Sequence, residues 1–281
     1  MRVATLEMDV RSGDVEGNLA AAREGVERAA GLGASLIALP EMWPTSFVAN
    51  AGRAEIEGSI AAVAELAGAA GALGITVIGS AFASVGDERP PSNRAHVLSG
   101  GAITAGYDKV HLFSPTAEHF AFTAGDAPPP VTTLPGTDIR IAPIICYDLR
   151  FPAVARAAFR AGAEVLVVVA QWPDTRAAHW RALVRGRAAE AEAFVVACNR
   201  IGTDEIGRRR MKLTFSGDAA VIAPSGEPVP HSVRSFIEAD GREPSRLTVH
   251  EIDVEEVRRL RRAVPVAEDE RLDVIRGWLT E

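Results

Sequence analysis

The sequence predicts a layered α/β fold in which helices cover sheets, and three observations predict it. Short apolar runs of strand length alternate along the chain with longer runs of helical period. The apolar runs are almost unbroken, as in "VLVVVA" at 165–170, which is the composition of strands buried on both faces. The helical runs are rich in small residues and lie close against a sheet in such folds.

The elements follow in order. The strand "RVATLEM" (2–8) leads into a helix over 15–31, with Val15, Leu19, Ala22, Val26 and Ala29 on one face, and then into the strand "SLIALP" (35–40). That is a β-α-β beginning. A small-residue helix at about 57–72 precedes the strands "ITVIGSAFA" (75–83) and "AHVLS" (95–99), and a short strand at 102–107 follows the Gly100–Gly101 turn. After a Pro-rich loop come the strand "RIAPIIC" (140–146), a helix after Phe151, and the strand "EVLVVVA" (164–170). A helix at 176–191 turns Trp180, Leu183, Val184 and Ala188 inward, and the strand "FVVACN" (194–199) succeeds it. Strands at 218–223 and 246–252 are joined by a polar connection with Gly and Pro, read as a surface loop, in which the order of 231–245 is left open. "DVEE" at 253–256 reads as a capping box that opens a C-terminal helix. No repeat, low-complexity segment or composition break interrupts the chain, so one domain over 1–281 is expected.

Composition narrows the function. With 47% hydrophobic and 24% charged residues, the 281-residue chain can bury a large core. Its 30 Lys and Arg against 37 Asp and Glu give a net charge of -7, which disfavours a nucleic-acid partner. The basic runs "GRRRMK" (207–212) and "RRLRR" (258–262) read as a solvated loop and helix face. No apolar span is expected to reach the ~18 residues of a membrane helix, and Glu7 and Asp9 interrupt what a signal segment would need. A cytoplasmic protein without a membrane partner is the expectation. The two cysteines, Cys146 and Cys198, have neither redox-pair spacing nor zinc partners, so a special cysteine here works as a thiol.

Strand ends then sort the polar residues, because loops leaving the carboxyl ends of strands carry the chemistry of α/β folds. "LIALPEMW" ends at Glu41, "AGYDKVHLF" at Lys109 and "IAPIICYDLRFP" at Cys146. Singly, each has a structural explanation: a salt-bridged strand end, a surface charge, a small core residue. Together they supply a carboxylate base, a cation for an oxyanion and a strong nucleophile, the three needs of attack on an amide carbonyl. A helix starting just beyond Cys146 is expected to lend it thiolate character.

"LPEMW", "YDKVHLF" and "ICYDLRFP", in this order and at these separations, resemble the Glu-Lys-Cys carbon-nitrogen hydrolases of the nitrilase superfamily. The resemblance covers nearly the whole chain. It implies a four-layer α-β-β-α sandwich, with Glu41 as general base and later acid, Cys146 as the acylated nucleophile, and Lys109 stabilising the tetrahedral intermediate with the backbone N–H of Tyr147. Glu118, in "SPTAEHFAFTAGD", matches the second glutamate that many such enzymes place beside the lysine. No metal or cofactor is implied, because the lysine and a backbone N–H take the electrostatic part. Relatives assemble as homodimers or larger homo-oligomers.

Within the superfamily, "CYDLRFP" and the stretch from Gln171 to Gly202 look most like the omega-amidases, which hydrolyse the terminal amide of short 2-oxo acids. The expected partner is a small amide that carries a carboxylate. Arg150 is the candidate for that carboxylate, since a guanidinium fork pairs both oxygens; the alternative is that it ties down the Cys146 loop through Asp148. Trp172 either borders the pocket or packs in the core, and the same choice holds for Trp43 and Phe113. Structural roles are expected for His111, His119 and the buried strand thiol Cys198. Many relatives have a serine where Ala219 stands, which leaves a supporting hydrogen bond in doubt. Alternatives to an omega-amidase are an amidase or carbamoylase of the same superfamily acting on deaminated glutathione or an N-carbamoyl compound, and a non-catalytic binding module.

Overall fold

The computed structural model describes residues 1–48, 51–84, 86, 89–206, 210–238 and 241–278. The chain opens with β1 (Arg2–Glu7), α1 (Val15–Gly31), β2 (Leu36–Ala38), α2 (Arg53–Leu73) and β3 (Thr76–Ala83), and the three strands are parallel. Asp14 starts α1 by accepting the Gly17 amide at 3.1 Å, and Gly74 stops α2 in a left-handed conformation at φ 66°. β4 (Ser92–Ser99) and β5 (Ala102–Asp108) extend the same sheet antiparallel.

A second sheet begins at β6 (Thr132–Thr133) and β7 (Arg140–Ile145). After α3 (Pro152–Arg160), β8 (Val165–Ala170), α4 (Ala177–Glu190) and β9 (Phe194–Asn199) complete its parallel centre. A hairpin of β10 (Ile201–Ile206) and β11 (Met211–Ser216) stands apart from both sheets. β12 (Ala220–Ile222) returns to the second sheet, β13 (His231–Ile237) and β14 (Ser245–Glu251) to the first, and α5 (Glu255–Ala263), α6 (Val266–Asp269) and α7 (Leu272–Trp278) follow. The sheet orders are β13-β14-β1-β2-β3-β4-β5 and β12-β9-β8-β7-β6.

Burial shows how these layers stack. Val3, Leu36, Ile78 and Val97 of the first sheet share one core with Ile144, Val168 and Val195 of the second, so the two sheets lie face to face. On the far side of the first sheet, Ala22 and Val26 of α1 and Val63 and Leu66 of α2 pack with Leu6, Ile37 and Val77. Ala158 of α3 and Val184 and Ala188 of α4 cover the second. The result is the α-β-β-α sandwich. Every residue of β7 after Arg140, and all of β8 and β9, are buried, which is why their sequence shows no alternation. Each buried Val, Leu or Ile contributes about 1.5–3 kcal/mol of transfer free energy to this seam.

Several expectations need correction. The polar connection after β12 is not all loop: β13 pairs with β14 along its length, and its alternating exposure marks an edge strand with one wet face. The β10–β11 hairpin was not foreseen, for the same reason. Among the described residues, α2 is long and apolar enough to cross a membrane by length and composition, against the expectation that no span would be. Its Ala62, Val63, Leu66, Ala67 and Ala70 are spent instead on the sheet beneath it.

"RRLRR" is a solvated face only at Arg259 and Arg262. Arg258 pairs with Asp138, Glu164 and Glu255, and Arg261 donates to the carbonyls of Ala163, Ala191 and Glu192, so this run fastens α5 to the turns before β8 and β9. Of "GRRRMK", residues 207–209 lie outside the described residues, and Met211 and Lys212 open β11. Asp253 accepts the Glu255 amide at 3.1 Å at the start of α5, the acidic half of the expected cap.

Candidate active site

Three strand ends meet at one place. Glu41 follows β2 and Lys109 follows β5 in the first sheet, while Cys146 follows β7 in the second. Glu41 is fully buried; its Oε1 accepts from Lys109 Nζ at 2.8 Å and Asn93 Nδ2 at 2.9 Å, and its Oε2 accepts the Gln171 amide at 3.0 Å. The Gln171 side chain returns to the same residue, donating from Nε2 to the Glu41 carbonyl at 2.8 Å. Both oxygens are thereby oriented.

Lys109, also buried, donates to both oxygens of Glu118, at 3.0 and 2.8 Å, as well as to Glu41. Burial pulls its ammonium down, but Glu118 and Glu41 outweigh that and hold it charged, well above the ordinary lysine range. Glu118 is fixed in turn by the Phe113 amide at 2.8 Å. Burial, opposed by Lys109 and reinforced by Glu41, pushes its carboxyl up to about 7.

Cys146 takes a left-handed backbone at φ 41° and opens a 3-10 turn, Cys146–Arg150, ahead of α3. A side chain rarely adopts this conformation, and here it aims the thiol out of the strand into the cavity. The expected thiolate character does not appear in this state. Burial first, and then the facing Glu41 carboxylate, push the thiol well above its ordinary range, with only Lys109 pulling the other way.

The turn is pinned from behind. Buried Asp148 accepts the His111 amide at 2.9 Å and the Tyr107 hydroxyl at 2.9 Å, and its Oδ1 lies 2.7 Å from His111 Nδ1. His111 also stacks on Phe151 at 3.6 Å, so its role is structural. His119 lies against Phe120, with ring centroids 4.0 Å apart and the planes tilted by 44°. Cys198 is buried and directs its thiol to the Leu6 carbonyl at 3.2 Å, as a strand thiol should. The backbone of Ala219 donates to Glu7 at 2.9 Å, which ties the 217–219 turn to β1 through the main chain.

A cleft opens over Cys146, Glu41 and Gln171, walled by Phe113, Tyr147 and Trp172 among other aromatic rings. Arg150 lines it as well. Its guanidinium lies 4.8 Å above Trp172 and bonds His179 Nδ1 at 3.1 Å, so it does not serve as the tie to Asp148. Arg176, which sequence reasoning missed, lines the same wall with its guanidinium 5.6 Å from the Phe113 ring. Trp172 borders the cavity and holds this corner together: its amide donates to Asn199 at 2.7 Å and its indole to the Arg176 carbonyl at 2.8 Å. Phe113 lines the pocket, whereas Trp43 packs in the core beside α1 and α2. Among the described residues, no group of three or more His, Cys, Asp or Glu is placed to hold a metal ion.

The sequence matches the carbon-nitrogen hydrolase family over residues 2–262. The chain belongs to that family. This carbon-nitrogen hydrolase is 31% identical to omega-amidase YafV of Escherichia coli strain K12 over 246 residues, 88% of this chain and 87% of that protein. It is 29% identical to 2-oxoglutaramate amidase of Bacillus subtilis strain 168 over 274 residues, 97% and 98% of the two chains. Its fold superposes on an amidase of the nitrilase superfamily from Nesterenkonia AN1 with a TM-score of 0.81 and 27% identity, covering 99% of this hydrolase and 97% of that chain. Another structure of that amidase carries acrylamide added at its active-site cysteine.

Proposed function

We propose that the protein is an omega-amidase that hydrolyses the terminal amide of a short 2-oxo dicarboxylic acid monoamide to ammonia and the dicarboxylate. The observation that carries this is the joint presence, around one small cavity, of a thiol facing a carboxylate and of two guanidiniums, Arg150 and Arg176, that have no acidic partner among the described residues. Unpaired guanidiniums on an otherwise aromatic wall suit a substrate that brings its own carboxylate. The names of the E. coli and B. subtilis relatives support the same substrate class.

In this reading Cys146 gives its proton to Glu41 as its sulfur attacks the amide carbon. The resting thiol is neutral, so proton transfer and attack are coupled, and Glu41, already oriented by Asn93 and Gln171, is the acceptor. Lys109, with the Tyr147 amide, stabilises the oxyanion by its charge. Glu41 returns the proton to the leaving nitrogen, ammonia departs and a thioester remains on Cys146. Water, deprotonated by Glu41, then opens the thioester and restores the thiol. Glu118 keeps the ammonium in place.

A free nucleophilic thiol suits the reducing cytoplasm, and the homo-oligomer expected from the resemblance is a matter for light scattering. The decisive experiment compares ammonia release from 2-oxoglutaramate, 2-oxosuccinamate and uncharged primary amides of equal length, in the parent and in Arg150→Gln and Arg176→Gln. The 2-oxo acid amides should be preferred, with KM raised about tenfold or more in the guanidinium variants and little change for uncharged amides. Equal turnover of charged and uncharged amides by the parent would end the substrate assignment.

A further inference from the structure

Behind Glu41 lies a fully buried arginine that the reaction as described does not use. We propose that Arg200 is a positioning residue for the general base, acting through Gln171; the inference rests on the reading of Glu41 as that base.

Arg200 stands one residue past β9, with no exposed surface. Its Nη1 donates to Gln171 Oε1 at 3.1 Å, to Ser46 Oγ at 2.9 Å and to Asp204 Oδ2 at 3.2 Å, its Nη2 to the Val10 carbonyl, and its Nε to the Ile201 carbonyl at 3.3 Å. The guanidinium also lies 4.7 Å from the Phe215 ring. One planar fork thus joins the segment after β1, the loop that carries Glu41, the end of β8 and the start of β10.

The link to chemistry is the amide of Gln171. A side-chain amide has one accepting and one donating end, and a guanidinium only donates. Arg200 therefore selects Oε1 of Gln171 and turns Nε2 toward the Glu41 carbonyl, where it bonds at 2.8 Å. The same contact steadies the Gln171 backbone, whose N–H holds Glu41 Oε2 at 3.0 Å. Ser46, five residues beyond Glu41, is held by the fork too, and donates to Asp204 at 2.7 Å. The loop and the carboxylate of Glu41 are both aimed by a residue that does not line the cavity. A lysine could supply the charge but not these divergent bonds.

The test measures kcat, KM and the pH profile of Arg200→Met, Arg200→Lys, Gln171→Met and the Arg200→Lys/Gln171→Met double variant, with circular dichroism and thermal melting as folding controls. Gln171→Met removes the link without stranding a buried charge, and Arg200→Lys carries the arginine arm if Arg200→Met does not fold. The expected result is a fall in kcat of about tenfold or more with KM changed less than about threefold. The acid limb of kcat should move to higher pH, since the Gln171 backbone N–H, no longer steadied by its side chain, bonds Glu41 Oε2 more weakly. The double variant should lose no more than the worse single one, because both act on one path. Folded variants with parental kcat and an unmoved acid limb would overturn the proposal, as would losses that multiply in the double variant. Glu41→Gln separates the two readings: if it retained turnover, the base assignment itself would fall, whatever Arg200 does.

Discussion

Glu118 holds the Lys109 ammonium with both carboxylate oxygens, at 3.0 and 2.8 Å, while Glu41 receives it on one oxygen only, at 2.8 Å. The amine is thus anchored chiefly by the residue farther from the thiol in function, and Glu41 keeps its second oxygen for the Gln171 amide. Two carboxylates against one ammonium leave the cluster one negative charge in excess once both are ionised.

That excess predicts a pH dependence of stability. Burial raises the Glu118 carboxyl from its ordinary value of 4.5 to about 7, so between those values the folded protein binds a proton that the unfolded chain has lost. Stability contributed by this group therefore falls as pH rises through the window, by up to about 3 kcal/mol. Lys109, raised above its ordinary value of 10.5, contributes a constant amount there. Denaturant unfolding at pH 5 and pH 8 should show the parent losing about 1–3 kcal/mol more than Glu118→Gln over that interval. Equal pH slopes would remove Glu118 as the titrating group.

The Cys146 thiol, pushed above its ordinary value of 9.0 by burial and by Glu41, should give no thiolate signal at neutral pH in the free protein. The ultraviolet difference spectrum between the parent and Cys146→Ala is expected to stay flat until pH passes 9.0, and Cys146→Ala should have no measurable turnover. A titration step near neutrality would show instead that the free enzyme holds a thiolate.

Asp148→Ala should destabilise the fold by about 3 kcal/mol, because the Tyr107 hydroxyl and the His111 amide and ring are left without their buried acceptor. Turnover should fall as well, since these bonds hold the turn that begins at Cys146. Unfolding midpoints and initial rates on the same preparations check both halves of this statement.

Gly79 tests the packing beneath Glu41. A Cβ there would meet Trp43 Cδ1 at 2.7 Å and Leu39 Cβ at 3.0 Å, both within two residues of Glu41. Gly79→Ala should cost about 1–3 kcal/mol and lower kcat several-fold as the Glu41 turn shifts. Gly68→Ala, in open space on the same α2 helix that packs nearby, should stabilise by about 0.5–1 kcal/mol and leave kcat unchanged.

Glu41 and Cys146 were legible in the sequence because each follows an unbroken apolar run, where reactive groups are rare; Lys109 follows a half-exposed strand that ends in Asp108, and it was legible through the motif "YDKVHLF". Gln171 also follows such a strand, yet an amide signals no chemistry alone, and its value lies in two bonds to a residue 130 positions away. Asn93 and Arg200 were hidden in the same manner: the partner of the first is set by the strand order of its own sheet, and the partners of the second by how the sheets stack. The parallel centres of both sheets were readable from continuous apolar runs. β10, β11 and β13 were not, because strands with one wet face and polar neighbours look like loops until a pairing partner is known.

Glu41 and Lys109 ride on one sheet and Cys146 on the other, so the apolar seam between the sheets is also the gauge that spaces acid from sulfur. Interior side chains such as Ile78 and Val168 act as shims in that gauge. Thickening or thinning the seam by a methylene alters the reacting distance before it decides whether the chain folds. Tolerance to substitution scored by foldedness and tolerance scored by turnover will therefore part company most sharply in these interior positions, none of which touches a substrate.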